Sequence, residues 1–203
     1  MARETKGVKK AIAAWAKAKA SEKNRLQQYG NGGGAPMGFG CAHALILSKV
    51  KAALGLDQCK MAITSAAPIS VEVLEYFASL DIGVYELFGQ SECTGPHTTN
   101  FPHLWKIGSI GKEVPGVRTK KLESNGEFCM YGRHVMMGYM KMPEKTAEAI
   151  DSDGWLHSGD VADADSDGFW KITGRIKELI ITAGGENIVS GADRQVYLLL
   201  VLT

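Results

Sequence analysis

The segment from residue 60 to residue 92 reads KMAITSAAPISVEVLEYFASLDIGVYELFGQSE. It contains two short apolar runs, Lys60–Thr64 and Ile82–Leu87, and each of them predicts a buried strand. Between the two runs, Ser70 is suited to cap the start of a helix. That helix would bury an apolar stripe formed by Val73, Phe77 and Leu80. A strand, a helix and a second strand in this order are typical of a parallel α/β sheet.

The segments that precede this one predict further helices. Residues 8–28 are rich in Ala and Lys and predict one helix, and residues 42–54 predict another, which Gly55 ends. A glycine-rich loop from Gly30 to Gly40 separates the two helices. We therefore predict that residues 1–104 form part of an α/β domain.

The segments that follow residue 104 show short alternating runs, which are typical of strands. Asn125-Gly126 predicts a hairpin turn between the strands Val117–Leu122 and Glu127–Tyr131. Pro143 predicts the first residue of a short helix that continues to Ile150. Two later strands are expected, at Phe169–Thr173 and Glu178–Thr182.

The predicted fold class is therefore α/β, with three segments along the chain. Residues 1–104 would belong to the α/β part and residues 105–176 to a small β-rich subdomain. Residues 177–203 would form a hinge and the start of a further, truncated domain.

Composition limits the classes of function. The chain has 203 residues, of which 45% are hydrophobic and 22% charged, and its formal net charge is +1. That near-neutral balance gives no general basis for nucleic-acid binding. The four cysteines form no CxxC pair, so reduced thiols and a cytoplasmic location are expected. The five histidines show no metal-ligand spacing. No apolar run reaches the roughly 20 residues that span a bilayer.

Polar and aromatic side chains follow the second predicted strand. Ligands are commonly bound at the carboxyl ends of strands in open α/β sheets. Phe88 is suited to lie against a purine face, and the Ser91 hydroxyl can donate a hydrogen bond to a phosphate oxygen. Glu92 supplies a carboxylate, which is the kind of ligand that Mg²⁺ prefers. A strand that simply ends in a polar turn is the alternative interpretation.

A second group of candidate residues lies in the segment Gly154–Asp160, which reads GWLHSGD. We interpret this segment as a turn that ends at Asp160, whose carboxylate could accept hydrogen bonds from both hydroxyls of a ribose. After a hairpin-like segment comes Arg175, and its guanidinium suits a phosphate through charge-assisted hydrogen bonds.

Several motifs, in order along the chain, resemble those of the adenylate-forming superfamily. Ser65–Pro68 resembles the Gly-Ala-Ala-Pro loop of that superfamily, and Tyr85–Glu92 resembles its Tyr-Gly-x-Thr-Glu motif. Gly126–Phe128, Trp155–Asp160 and Arg175–Lys177 resemble motifs that follow. Within the superfamily, the chain is most similar to the bubblegum-type long-chain fatty acyl-CoA synthetases.

The resemblance implies a fragment of the adenylate-forming fold and assigns roles to individual residues. Phe88 would stack on adenine, Asp160 would hold the ribose hydroxyls, and Lys177 would be the hinge of the small C-terminal domain. Glu92 and Arg175 would be the catalytic residues, with Glu92 as the Mg²⁺ ligand. The implied ATP- and AMP-binding residues are Ala66, Ala67, Glu86, Leu87, Phe88, Gly89, Gln90, Ser91, Glu92, Asp160 and Arg175.

The same resemblance implies a reaction and a set of partners. A long-chain fatty acid would attack the α-phosphorus of ATP in the presence of Mg²⁺ to give an acyl-adenylate, and coenzyme A would then displace AMP. No nucleic-acid partner is expected. The resemblance implies a cytoplasmic location and leaves open a peripheral contact with the endoplasmic reticulum membrane.

The sequence departs from the superfamily in three places. It lacks the Ser/Thr/Gly-rich phosphate loop, it has no lysine after Lys177, and residues 189–203 diverge. We therefore expect a partial chain that is inactive on its own. Two alternatives remain open: a non-catalytic truncated isoform that acts as a binding module, and an adenylating enzyme for another carboxylic acid.

Overall fold

The structure of the protein is a computed structural model that describes residues 7–181 and 187–189. Packing divides the chain into two units. The first contains Met1–Leu87 with Asn100–Gly111, and the second contains Phe88–Thr99 with Lys112–Thr203. The boundaries of these packing units differ from the boundaries of the predicted segments 1–104, 105–176 and 177–203. Those segments remain a prediction. The divergent residues 189–203 lie outside the described part, except for residue 189.

Helices make up most of the first unit. They are α1 (Val8–Gln27), α2 (Phe39–Ala42), a π-helical turn (His43–Leu47), α3 (Ser48–Ala53) and α4 (Val71–Ser79). These bounds confirm the helices that the sequence predicts. Small side chains allow α1 to pack closely, and the core there consists of Ala16, Ala20, Ala42 and Leu47. The Asn24 amide donates to the carbonyl oxygens of Ala20 and Ala78, each at 2.9 Å, and so joins α1 to α4.

The first unit also contains the predicted strand–helix–strand segment. Strand β1 (Ala62–Thr64) pairs in parallel with β2 (Val84–Gln90), in a register that runs from Ala62 opposite Val84 to Thr64 opposite Glu86. The parallel α/β prediction is therefore confirmed. Strand β2 extends three residues beyond the predicted Leu87, and it is half-buried along its length rather than buried.

Helix α4 begins as predicted, but one of the three residues predicted for its buried stripe is exposed. The Ser70 hydroxyl accepts a hydrogen bond from the Val73 amide at 3.4 Å, which confirms the cap. Leu80 is buried as predicted and Phe77 is half-buried, but Val73 is 41% exposed, and the helix itself buries Leu74 and Ala78. The prediction of Val73 as a core residue is wrong because α4 packs against α1, which selects the face one residue further along the helix.

The second unit consists mainly of strands. They are β3 (Gly95–Thr99), β4 (Lys112–Glu113), β5 (Arg118–Lys121), β6 (Glu127–Tyr131), β7 (Leu156–Ala164), β8 (Trp170–Arg175), β9 (Leu179–Ile181) and β10 (Asn187–Val189), with helix α5 (Pro143–Ala149) between β6 and β7. One sheet has the order β1-β2-β3-β4, and an antiparallel sheet has the order β5-β6-β7-β8. Strands β9 and β10 form an antiparallel pair. The hairpin at Asn125-Gly126 and the strand β9 confirm the predictions made for those segments.

Phe128, on β6, lies at the centre of the core of the second unit. The rings of Phe88, His97 and Trp170 each meet it edge to face, at centroid distances of 5.3, 5.6 and 5.1 Å. Other buried side chains surround it: Cys93, Thr98, Cys129, Met130, Leu156, Val161, Ala162 and Phe169. This core supports the strands that carry the candidate residues.

Strand β7 replaces the turn that the sequence predicts at Gly154–Asp160. Cys129 of β6 is opposite His157 of β7, and Glu127 is opposite Val161, so β7 uses four residues where β6 uses two. The extra residues form a bulge at Ser158-Gly159-Asp160, and Gly159 has a φ of 73°, in the left-handed region that favours glycine. Asp160 therefore lies on a bulge inside a strand and not on a terminal turn.

Within the described residues, no helix combines the length and the apolar character needed to cross a membrane.

Candidate active site

Asp160 is the most enclosed of the predicted site residues. The residue is 3% exposed, and β7 places it directly opposite Arg175 of β8. Its Oδ1 lies 3.0 Å from Nε of Arg175, and its Oδ2 accepts a hydrogen bond from Nε2 of Gln90 at 3.3 Å. Burying a carboxylate is costly unless it is paired and hydrogen-bonded, and these two partners meet both conditions.

Gln90 joins the end of β2 to the bulge in β7. Its side-chain amide donates to the Ser158 carbonyl oxygen at 2.9 Å as well as to Asp160. The Asp160 amide in turn donates to the Ser158 hydroxyl at 3.0 Å. The structure thus brings the predicted residues Gln90, Asp160 and Arg175 together, and their role in nucleotide binding stays a prediction. The Arg175 side chain is 67% exposed, so its guanidinium can reach a ligand.

The residues that follow β2 form a short 3-10 turn, Ser91–Cys93. Ser91 is exposed, whereas Glu92 is half-buried and held from two sides. Its Oε1 accepts a hydrogen bond from the Tyr139 hydroxyl at 2.8 Å, and its carbonyl oxygen accepts one from the Met136 amide at 2.7 Å. The bond to Glu92 raises the pKa of Tyr139, so this hydroxyl keeps its proton and acts as the donor.

Glu92 fits the Mg²⁺ ligand that the sequence predicts. Mg²⁺ binds oxygen atoms and is usually held by one or two carboxylates together with phosphate oxygens. Glu92 supplies such a carboxylate, and the hydrogen bond from the Tyr139 hydroxyl fixes the position of its Oε1.

The other predicted residues are placed as follows. Ala66 and Ala67 are exposed in the connection after β1, where Ala66 has a φ of 72°. Gly89 lies in β2, and a Cβ there would collide with the Gly95 carbonyl, so glycine is required. Glu86 and Leu87 precede it in the same strand. Lys177 is exposed in the 3-10 turn Ile176–Glu178, directly after β8.

One cluster in the second unit joins two of the quoted motifs, Gly126–Phe128 and Trp155–Asp160, through a contact that the sequence does not predict. Glu127 is 8% exposed; its Oε2 lies 3.0 Å from Nδ1 of His157, and its Oε1 accepts a hydrogen bond from the Gly159 amide at 3.0 Å. The Sγ atom of Cys129 lies 3.7 Å from the same Nδ1. The residues are thirty positions apart in sequence and meet through the β6–β7 register, which no spacing rule could have identified.

Glu127, Cys129 and His157 are also the described residues whose ligand atoms lie close enough together to suggest a metal ion. Burial, with a further contribution from Glu127, raises the pKa of Cys129 to about 12, so the thiol is protonated at neutral pH. Both oxygens of Glu127 already accept or face hydrogen-bonding groups, and the cluster is therefore a hydrogen-bonded network.

His97 and His134 form a second buried network. Nδ1 of His97 lies 2.8 Å from Nε2 of His134, Nε2 of His97 lies 2.8 Å from the Thr119 hydroxyl, and the two rings stack at 5.0 Å. Burial, with the neighbouring His134, lowers the pKa of His97 from 6.5 to about 4. His97 therefore supports the core as a neutral residue.

Comparison with known proteins identifies the family. The family model described as AMP-binding enzyme matches residues 7–140. The long-chain-fatty-acid–CoA ligase ACSBG2 of Gallus gallus is 51% identical over 185 residues, covering 89% of this chain and 24% of its own length. ACSBG2 of Mus musculus is 46% identical, covering 93% of this chain and 28% of its own. The chain thus spans about a quarter of the length of the curated relatives that it matches.

Solved structures agree with this result. The apo structure of MatB from Rhodopseudomonas palustris has a TM-score of 0.59 at 26% identity and covers 73% of this chain and 32% of its own. The MenE complex of Bacillus subtilis with ATP and magnesium ion has a TM-score of 0.56 at 26% identity, over 63% of this chain and 28% of its own. Since the family model matches more than half of its residues, the chain belongs to the family of AMP-binding enzymes and carries a fragment of their adenylate-forming α/β fold.

Proposed function

We propose that this chain carries part of the nucleotide-binding surface of an ATP-dependent long-chain fatty acid–CoA ligase. The observation that carries the proposal is the buried Asp160 carboxylate, held between Gln90 and Arg175 on a bulge of β7. The fatty-acid substrate is supported by the curated relatives, which are named long-chain-fatty-acid–CoA ligases at 43–51% identity in the case of ACSBG2.

Five predicted site residues of the second unit each have a defined part in this proposal. Asp160 accepts hydrogen bonds from the ribose hydroxyls, and the remaining N–H groups of Arg175 donate to phosphate or ribose oxygens. Phe88 offers a ring to adenine, and Ser91 donates to a phosphate oxygen. Glu92 holds Mg²⁺, which neutralises charge on the phosphate oxygens. Ala66 and Ala67, in the first unit, stay predicted neighbours of adenine.

The proposed reaction has two steps. The fatty carboxylate oxygen bonds to the α-phosphorus of ATP and pyrophosphate leaves; the coenzyme A thiol then bonds to the acyl carbon and AMP leaves. This chain's contribution is to position the nucleotide and to stabilise charge on it, which are the main means by which proteins accelerate such transfers. A cytoplasmic location with peripheral contact at the endoplasmic reticulum membrane stays part of the proposal, supported by the family resemblance.

Direct binding of AMP tests the proposal without requiring catalysis. We expect isothermal titration calorimetry to show AMP binding by the wild-type chain. Asp160→Asn removes the charged carboxylate that would accept hydrogen bonds from the ribose hydroxyls. Because a hydrogen bond to a charged group is worth roughly 1.5–3 kcal/mol, this variant should bind AMP at least about tenfold more weakly.

Asp163→Asn is the matched control. Asp163 is on the same strand but exposed, and it pairs with Lys121 on the surface. It should leave the affinity unchanged. Equal affinity of the wild type and Asp160→Asn for AMP would show that the site is assigned to the wrong residues.

A further inference from the structure

We infer that Glu127 is a positioning residue, which fixes Asp160 by holding the bulge of β7 from the side of the core. The inference rests on the proposed function, since it assigns Glu127 a role through the ribose-binding carboxylate. Glu127 lies at the start of β6 and is 8% exposed, and its side chain contacts His157 and the Gly159 amide.

The two carboxylate oxygens of Glu127 contact the strand at two points, one inside the bulge and one directly before it. Oε1 accepts a hydrogen bond from the Gly159 amide at 3.0 Å, next to Asp160 in the chain. Oε2 lies 3.0 Å from Nδ1 of His157, the last residue paired with β6 before the bulge. A bulge takes its residues out of the strand ladder and leaves their amides in need of other acceptors. The Glu127 side chain supplies one.

The contact also fixes His157 in one orientation. Because Nδ1 faces the Glu127 carboxylate, this nitrogen carries a proton and donates it. Nε2 of the same ring lies 3.6 Å from Oδ2 of Asp151, which is in turn 3.5 Å from the Lys120 ammonium. A series of polar and charged groups thus runs from Lys120 through Asp151, His157 and Glu127 to the Gly159 amide.

Asp160 is consequently held from two directions. Gln90 and Arg175 contact its carboxylate, and Glu127 holds the backbone from which that carboxylate projects. A binding group has to stay within about 0.5 Å of its working position to be effective, which requires supporting residues of this kind. If Glu127 has this role, its loss should reduce recognition of the ribose hydroxyls more than recognition of the rest of the nucleotide.

The test compares the affinity for AMP with the affinity for 2′,3′-dideoxy-AMP. The second compound lacks the two hydroxyls from which Asp160 would accept hydrogen bonds. We expect the wild-type chain to bind AMP at least about tenfold more tightly than the dideoxy compound. Glu127→Met keeps the length of the side chain but removes both hydrogen bonds, and it should reduce that ratio to below about threefold. Glu127→Gln can still accept from Gly159 and should keep the ratio within about twofold of the wild type.

A general loss of stability is controlled by Phe169→Leu. Phe169 is buried in the same unit and lies between β7 and β8, outside the three residues of the bulge, so its truncation weakens the fold. It should lower the melting temperature and leave the ratio unchanged. If Glu127→Met does not fold, Glu127→Thr replaces it, since Thr favours strands but is too short to reach the Gly159 amide.

The outcomes separate this inference from the function on which it rests. A wild-type chain that binds both nucleotides equally overturns the ribose site and the inference together. A wild-type chain that prefers AMP, with a preference retained in Glu127→Met or Glu127→Thr, overturns the positioning role alone. A ratio that also falls in Phe169→Leu shows a loss of stability and again rejects that role.

Discussion

At the scale of single residues, Asp160 shows how a buried carboxylate keeps its charge and its direction. Arg175 supplies the opposite charge at 3.0 Å, and Gln90 binds the second oxygen. Asp160 is therefore fixed in place before any nucleotide arrives, and the cost of orienting it does not reduce the binding free energy.

His97 leads to a prediction about pH. Burial lowers its pKa from 6.5 to about 4, so the unfolded chain takes up a proton in a pH range where the folded chain does not. The free energy of unfolding should therefore be largest above about pH 6.5 and fall as the pH is lowered towards 4, by up to about 1.4 kcal/mol per pH unit. Urea unfolding at a series of pH values measures this dependence.

Two variants identify the residue responsible. His97→Leu should flatten the dependence below pH 6.5, although the lowered pKa of His134 leaves a smaller slope. His103→Gln changes an exposed histidine and should leave the slope as it is in the wild type. A steep slope that persists in His97→Leu would show that other groups dominate acid unfolding.

The sequence identifies the residues that bear chemistry better than it identifies those that support them. Gln90, Asp160 and Arg175 could be selected because their side chains have obvious uses and their motifs resemble those of a known superfamily, and the structure brings the three together. Glu127 and His157 escaped notice as partners because their contact depends on how β6 and β7 pair. Strand register is a long-range property that local sequence does not encode.

At the scale of structural elements, the bulge in β7 decides where Asp160 points. A regular strand would place consecutive side chains on opposite faces, whereas two extra residues change the direction of the chain at this point. The change requires a left-handed residue, and Gly159 provides it with a φ of 73°. The bulge is therefore a second cause, beside the side-chain contacts, of the position of Asp160.

Gly159→Ala tests the contribution of the bulge. No heavy atom lies within 4 Å of the place that the new Cβ would occupy, so its cost comes from the backbone alone. We expect the free energy of unfolding to fall by about 1–2 kcal/mol, since that is the cost of a left-handed conformation for a residue with a Cβ. AMP should also bind more weakly, because Asp160 follows directly.

Gly34→Ala provides the comparison for that variant. Gly34 also has open space around it, and it lies in the loop before α2. Gly34→Ala should change the free energy of unfolding by no more than about 0.5 kcal/mol. It should leave the affinity for AMP unchanged. If Gly159→Ala is as stable as Gly34→Ala, the bulge does not need its left-handed residue.

Helix α4 shows which part of an element the sequence can predict. Its start could be placed because Ser70 is a capping residue, and the cap is present. Its buried face could not be placed from the sequence. The apolar residues Val73, Leu74 and Phe77 lie close together along the helix, and they allow more than one apolar stripe. Packing against α1 selects Leu74 and Ala78, and the choice depends on a partner helix some fifty residues away.

At the scale of the whole molecule, the two units are connected through a continuous strand. The boundary between them falls after Leu87, inside β2, so the strand that carries Phe88 and Gln90 begins in the first unit. The pairing of a strand in one unit therefore lies next to its pairing in the other, and loss of the first exposes backbone groups of the second. We therefore expect the units to unfold in a single cooperative transition and not one after the other.

The four tryptophans allow a test of that expectation, since Trp15 and Trp105 belong to the first unit and Trp155 and Trp170 to the second. In a chain labelled with 5-fluorotryptophan, the four fluorine resonances should lose intensity at the same urea concentration.

AMP at 100 times its Kd should raise the free energy of unfolding by about 2.7 kcal/mol, because it binds the folded state. Under cooperative unfolding that shift appears at all four resonances, including the two in the unit without Asp160. A shift confined to Trp155 and Trp170 would mean that β2 does not couple the units, and that the nucleotide stabilises the second one by itself.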